Sequence, residues 1–256
     1  MSTAQAGARA PSPACPDFPF YDGRPRRLAP TAWAIAFAMC ALAFAALQAA
    51  TLLGPGPWPT FLGMAAFGLI NLTGLRLAAG RDWAAAFRRP GWRDVAVGLA
   101  GALACMLASA AVASLIYGAT HGAVAANPIT ERAARLDAAG LALLLAGSAI
   151  QLVGEEVITL VPFLAILTVA TGRLHSGSRL PRRPAAIGLA WVGSALVFAA
   201  LHLPTYDWRI VQTLAVIGVA RLVLTAPYLI TRNLWSSVIA HVANDWTLML
   251  GLLALR

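Results

Sequence analysis

Apolar and polar positions along this chain fall into long blocks and do not alternate. Seven stretches are almost wholly apolar: about 32–53, 60–79, 95–117, 140–171, 185–206, 210–230 and 234–254. A helix needs about 20 apolar residues to cross a hydrocarbon core about 30 Å thick, and each block meets that length. Lipid offers no partner to a backbone N–H or C=O, so such blocks predict α-helices, whose backbone bonds close within the segment. The expected fold is therefore all-α, a polytopic integral membrane bundle of about seven transmembrane helices. Gly54-Pro55-Gly56-Pro57-Trp58-Pro59 predicts a sharp uncharged turn between the first two. The fourth block exceeds what one crossing requires and predicts a helix that tilts, protrudes at one end or breaks near Gly154. No internal repeat is visible, which counts against an inverted-repeat transporter.

Composition sharpens the class. The 256 residues are 59% hydrophobic and 11% charged, with mean hydropathy +0.73, against about 25% charged in a soluble domain. The net charge of +9 comes from arginine alone, since the chain has no lysine. A phosphate loop of the Gly-x-x-x-x-Gly-Lys type is thereby excluded. Fourteen arginines fall in the N-terminal tail and the loops that share its side, including Arg76, Arg81, Arg88, Arg89, Arg93, Arg173, Arg179, Arg182, Arg183 and Arg232. Four fall on the other side: Arg132, Arg135, Arg209 and Arg256. That asymmetry predicts a cytoplasmic N-terminus and an external C-terminus. It also explains the basic charge as membrane topology, so the expected partner is the lipid bilayer and not nucleic acid. The expected location is the plasma membrane of a bacterium.

The first thirty residues are rich in Pro, Ala and Arg and precede the first apolar block. They are expected to form a disordered cytoplasmic tail, with 31–120 as scaffold helices and 140–254 as a separate helical core. Cys15, Cys40 and Cys105 lack CxxC spacing and predict neither a disulfide nor a zinc knuckle. Trp58, Trp92, Trp208, Trp235 and Trp246 fall near block ends, as interfacial anchors do.

Chemistry enters with Glu155 and Glu156, the only charges between Leu141 and Ala170. Ionisable groups inside a membrane are costly and mark functional sites by default. Two later fragments supply partners: Phe198-Ala199-Ala200-Leu201-His202, and His241-Val242-Ala243-Asn244-Asp245. Positions four apart share a helix face, which predicts Phe198 stacked beneath His202 and Asp245 beside His241. A carboxylate held out of water can accept a proton from water and deliver it to a leaving amine, while imidazoles and a carboxamide hold that water and the oxyanion. Two histidines and a glutamate can alternatively bind a catalytic zinc. Mid-block Arg221 requires a carboxylate or a polar cavity.

These fragments resemble the CPBP family of intramembrane proteases, named for CAAX proteases and bacteriocin-processing enzymes and also called Abi. Its pattern is Glu-Glu followed by Arg, then Phe-x-x-x-His, then His-x-x-x-Asn or Asp. The resemblance covers roughly 140–250. It implies an all-helical membrane fold and an endopeptidase acting on a peptide or protein, with Glu155 as general base and Glu156 supporting it. His202 would bind the water or metal, and His241 and Asp245 would complete the site. Such enzymes have been argued to be zinc proteases and to be metal-free glutamate proteases; a zinc ion here would take Glu155, His202 and His241. The family's common arginine after the glutamates falls at Leu160, and Arg221 is the candidate replacement. Substrate is expected from the membrane or its cytoplasmic face. The rival classes are a proton- or ion-coupled transporter and a catalytically silent membrane immunity or assembly protein. The oligomeric state is left open.

Overall fold

The computed structural model describes residues 28–121, 125, 127–174 and 182–254; the tail over 1–27, with Cys15, and His175 lie outside them. Its described residues are helical, without a strand. α1 (Pro30–Ala49) and α2 (Pro57–Ala79) both start with proline in the first turn, where a missing N–H leaves no bond unmade. The turn between them places Gly54 at φ 99° and Gly56 at φ 148°, conformations that favour glycine. That is why the Gly-Pro-Gly-Pro sequence turns there.

α3 (Trp92–Ala119) follows the arginine-rich loop, and a six-residue α4 (Pro128–Ala133) is capped by the Asn127 side chain, which accepts from the Ile129 N–H at 3.1 Å. α4 was not expected, because six residues carry too little periodicity to stand out. α5 (Ala138–Leu174) is one unbroken helix of 37 residues, with Pro162 inside it. Of the three outcomes open for this block, the break near Gly154 does not occur. At about 1.5 Å per residue the helix is longer than the hydrocarbon core is thick.

α6 (Arg182–Leu201) stops five residues earlier than the expected 206, because the chain turns through a short 3₁₀ segment at Pro204–Tyr206. α7 (Ile210–Gln212) passes through a π-helical turn at Thr213–Ile217 into α8 (Gly218–Thr231), and α9 is Leu234–Ala254.

Six segments among the described residues are long and apolar enough to cross a membrane: Pro30–Leu53, Pro57–Ala86, Trp92–Ala119, Ala138–Thr171, Pro184–Leu201 and Ile210–Thr231. The protein is thus an integral membrane helical bundle. The seventh expected block is helical as α9 but is not among these six.

The helices pack in two groups. α2 lies between α1 and α5, and α5 also packs on α6; α3, α8 and α9 pack on one another. α5 against α9 and α6 against α8 join the groups. Small residues permit the close contacts. A Cβ on Gly154 would stand 2.8 Å from the Gly68 Cα, and one on Gly101 would stand 2.6 Å from Pro227 Cγ. At the arginine-rich end, Arg88 Nη2 donates to the carbonyls of Thr231 and Arg232 at 2.7 and 2.6 Å, and Asn233 Nδ2 donates to the Arg88 carbonyl at 3.1 Å. This staples the start of α3 to the α8–α9 turn and supplies donors to carbonyls that a helix C-terminus leaves unpaired.

Candidate active site

Where the two groups of helices meet, α5, α6, α8 and α9 bring their polar residues together. Neighbouring residues on a helix point about 100° apart, so Glu155 and Glu156 face different surroundings. Glu156, 2% exposed, turns toward α8 and α9. Arg221 Nη2 reaches its two carboxylate oxygens at 2.7 and 2.9 Å, and His241 Nδ1 lies 2.8 Å from Oε1. The carboxylate only accepts, so Nδ1 carries the proton and Nε2 is the free nitrogen of His241. Glu156 is thereby taken up by two partners. Arg221 is fully buried, and its pairing with Glu156 from α8 is the partnership expected of it. Leu160, at the position of the family's arginine, is buried in an apolar cluster with Leu164, Ala186 and Ala190.

Glu155 faces a cavity of about 460 Å³. Gln151, one turn earlier, donates from Nε2 to Glu155 Oε1 at 2.8 Å. Glu155 Oε2 stands 3.8 Å from His241 Nε2, and Asp245 Oδ1 stands 3.9 Å from the same nitrogen. Those gaps exceed hydrogen-bond length, so neither carboxylate is bonded directly to His241 Nε2. Asn244 Nδ2 donates to Asp245 Oδ1 at 2.9 Å. The carboxamide is therefore turned to Asp245.

His202 lies just past the end of α6 and lines the same cavity. Its Nδ1 donates to the Phe198 carbonyl at 2.9 Å, leaving Nε2 free. Phe198 stacks against the imidazole with ring centroids 4.5 Å apart and lies 6.5 Å from the His241 ring. Its other neighbour is the Arg221 guanidinium, 4.9 Å from the ring centroid, a cation–π contact that helps to hold a buried charge. α6 starts at Arg182, and the two histidines meet at one cavity with His202 just past the helix end.

All five predicted site residues therefore belong to one cluster: Glu155, His202, His241 and Asp245 line the cavity, and Glu156 lies behind them. Two further residues join them. Gln151 was legible as a polar residue four before Glu155 in an otherwise apolar run, but was passed over. Tyr206, four residues past His202, is buried and lines the cavity. Burial, reinforced by nearby Asp245 and Glu155, pushes its hydroxyl up to about 12, so it keeps its proton. Trp246 corrects an expectation. It is no interfacial anchor; its Nε1 donates to Ser148 Oγ at 3.0 Å and ties α9 to α5.

For zinc, the donors do not fit as placed. Among the described residues no three His, Cys, Asp or Glu side chains are arranged to hold one ion. No step below runs through a metal.

Fold and site together define a helical membrane protein with a paired-glutamate, two-histidine centre inside the bundle. A family model described as Type II CAAX prenyl endopeptidase Rce1-like matches residues 137–247, which span α5 to most of α9 and every residue of the cluster. Over that stretch the chain is similar to this family of peptide hydrolases, in agreement with the CAAX-protease resemblance read from its motifs. No curated protein and no solved structure matches the chain.

Proposed function

We propose that the protein is an intramembrane endopeptidase in which Glu155 activates the attacking water. One observation carries this reading: of the two adjacent carboxylates, Glu156 is consumed by Arg221 and His241, while Glu155 faces the cavity with a single bond, from Gln151. A water in the cavity donates a hydrogen bond to Glu155 Oε2, with His241 Nε2 as the acceptor for its other O–H. Its oxygen attacks the scissile carbonyl carbon, and Glu155 takes the proton as the new C–O bond forms. The carbonyl π electrons move onto oxygen, for which the Tyr206 hydroxyl and the Arg221 N–H groups not used by Glu156 are donors among the residues that line the cavity. Nε and Nη1 of Arg221 have no partner among the described residues. Glu155 then passes its proton to the amide nitrogen, the C–N bond breaks, and an acid and an amine leave. Glu156 fixes the His241 tautomer, and His202 Nε2 and Asp245 hold the water or the peptide.

The substrate is a peptide or a protein segment. Residues 140–254 form the catalytic core, 31–120 the scaffold with Ser109 of α3 reaching the cavity wall, and the N-terminus is cytoplasmic in a bacterial plasma membrane.

The test is cleavage of a peptide library, including prenylated C-terminal tetrapeptides, by purified protein in detergent. Glu155→Gln is expected to lower the rate by about 10²- to 10⁴-fold, the range for loss of a general base, with unchanged thermal stability. His202→Ala lowers it as well, and a zinc chelator leaves the wild-type rate where it was. Equal cleavage by all three proteins would sink the proposal. A smaller loss is expected in Tyr206→Phe, on the order of 10²-fold if its hydroxyl serves the oxyanion; an unchanged rate would remove Tyr206 from that role.

A further inference from the structure

The cavity is strongly displaced toward one end of the bundle. Its walls come from the end of α6 and the turn after it (His202, Thr205, Tyr206), from α4 with Asn127 before it, and from the first half of α8 and the C-terminal two-thirds of α9. These parts lie toward the same end, the one that also carries the turn between α1 and α2. A second cavity of about 670 Å³ borders that turn and shares Gln151 and Arg132 with the first. The opposite end holds the Arg88 staple, the α8–α9 turn, the start of α3 and the arginine-rich loops.

The distribution of arginine then assigns a side to each end. Among the described residues the stapled end carries Arg76, Arg81, Arg88, Arg89, Arg93 and Arg232, and the cavity end carries Arg132, Arg135 and Arg209. Short loops rich in arginine stay in the cytoplasm.

We infer that the active site opens on the extracytoplasmic side of the membrane, and that its substrates are polypeptide segments exposed on, or descending from, that side. This rests on the peptidase reading for the word substrate and on nothing but fold and charge for the side. It reverses the expectation of cytoplasmic access. It also separates this chain from the processing of prenylated tails on cytosolic proteins, since a tail held in the cytoplasm meets the end of the bundle away from the cavity.

The experiment is labelling by a membrane-impermeant maleimide in spheroplasts, in the full chain carrying Cys15→Ala as background. Thr205→Cys sits at the cavity wall, Arg135→Cys on an 81% exposed side chain beside α4, and Arg89→Cys in the arginine loop. The first two are expected to label in intact spheroplasts, and the third only after lysis. The reverse pattern, or equal labelling from both sides, overturns the inference; two positions at the cavity end keep it decidable should one variant misfold. A peptide shown to be cleaved in detergent, made impermeant by charge, is expected to be cut by intact spheroplasts. Cutting by inverted vesicles alone overturns the inference while the peptidase reading stands. A protein that cuts nothing in detergent overturns the peptidase reading and leaves the labelling to decide the side.

Discussion

α3 and α5 are both apolar enough to cross a membrane, yet 72% of the apolar stretch of α5 is buried inside the protein against 17% for α3. The two helices use the same residue types in different company. α3 turns Gly98, Ala102 and Cys105 inward and leaves Leu99, Leu103 and Leu107 more than half exposed, facing lipid. α5 has neighbours on nearly every side, and its two glutamates are held among them. Apolar composition thus announces the membrane but not the position within the bundle. A leucine gains little by exchanging lipid for a protein interior, whereas a glutamate or arginine is confined to one place by its partners.

Substitutions test that contrast. The largest effect on stability is expected at the partner of α5: Arg221→Leu strands Glu156 without its cation, and unfolding in detergent should become easier by about 3–5 kcal/mol, the cost of breaking a buried pair. Unchanged stability would show that Glu156 is held by His241 alone. Gly154→Ala comes next. Its Cβ would stand 2.8 Å from the Gly68 Cα and 3.0 Å from a Phe67 ring carbon, so α2 and α5 must part, at about 1–3 kcal/mol as for other overpacked sites. A neutral result would mean the two helices slide freely. The smallest effect is expected on the lipid face of α3, where Leu103→Ala should stay within about 0.5 kcal/mol of wild type, as substitutions away from packed features do. A loss of several kcal/mol there would place a protein neighbour, and not lipid, against α3.

Much of the fold was legible because each helix announces itself by a run of apolar residues bounded by arginine, glycine or proline. The site was legible for the related reason that Glu155, Glu156, Arg221 and His241 are conspicuous in such runs. What stayed hidden depends on neighbours. Gln151 is one amide among many until its bond to Glu155 is seen. Trp246 has the same sequence context as an interfacial tryptophan until Ser148 is found beside it. The end of α6 at Leu201 follows from the turn at Pro204–Tyr206, while the run of hydrophobic residues continues past it. α9 carries both signals at once, with His241 and Asp245 set in a run whose other residues are largely apolar.

The π-helical turn at Thr213–Ile217 has a consequence for how this chain tolerates change in length. Such a turn accommodates one extra residue while the helix axis carries on. Val216 and Ile217 of this turn line the cavity, and Arg221 is fixed just beyond it by Glu156. Deleting one residue here would restore a regular helix without shortening it by a full turn. The helix faces on either side would then keep their alignment, and the residues of the turn itself, Val216 and Ile217 among them, would be the ones displaced. A single-codon deletion at this spot is therefore a mechanical dial on the cavity wall, one that leaves the crossing intact and re-aims the residues that line it.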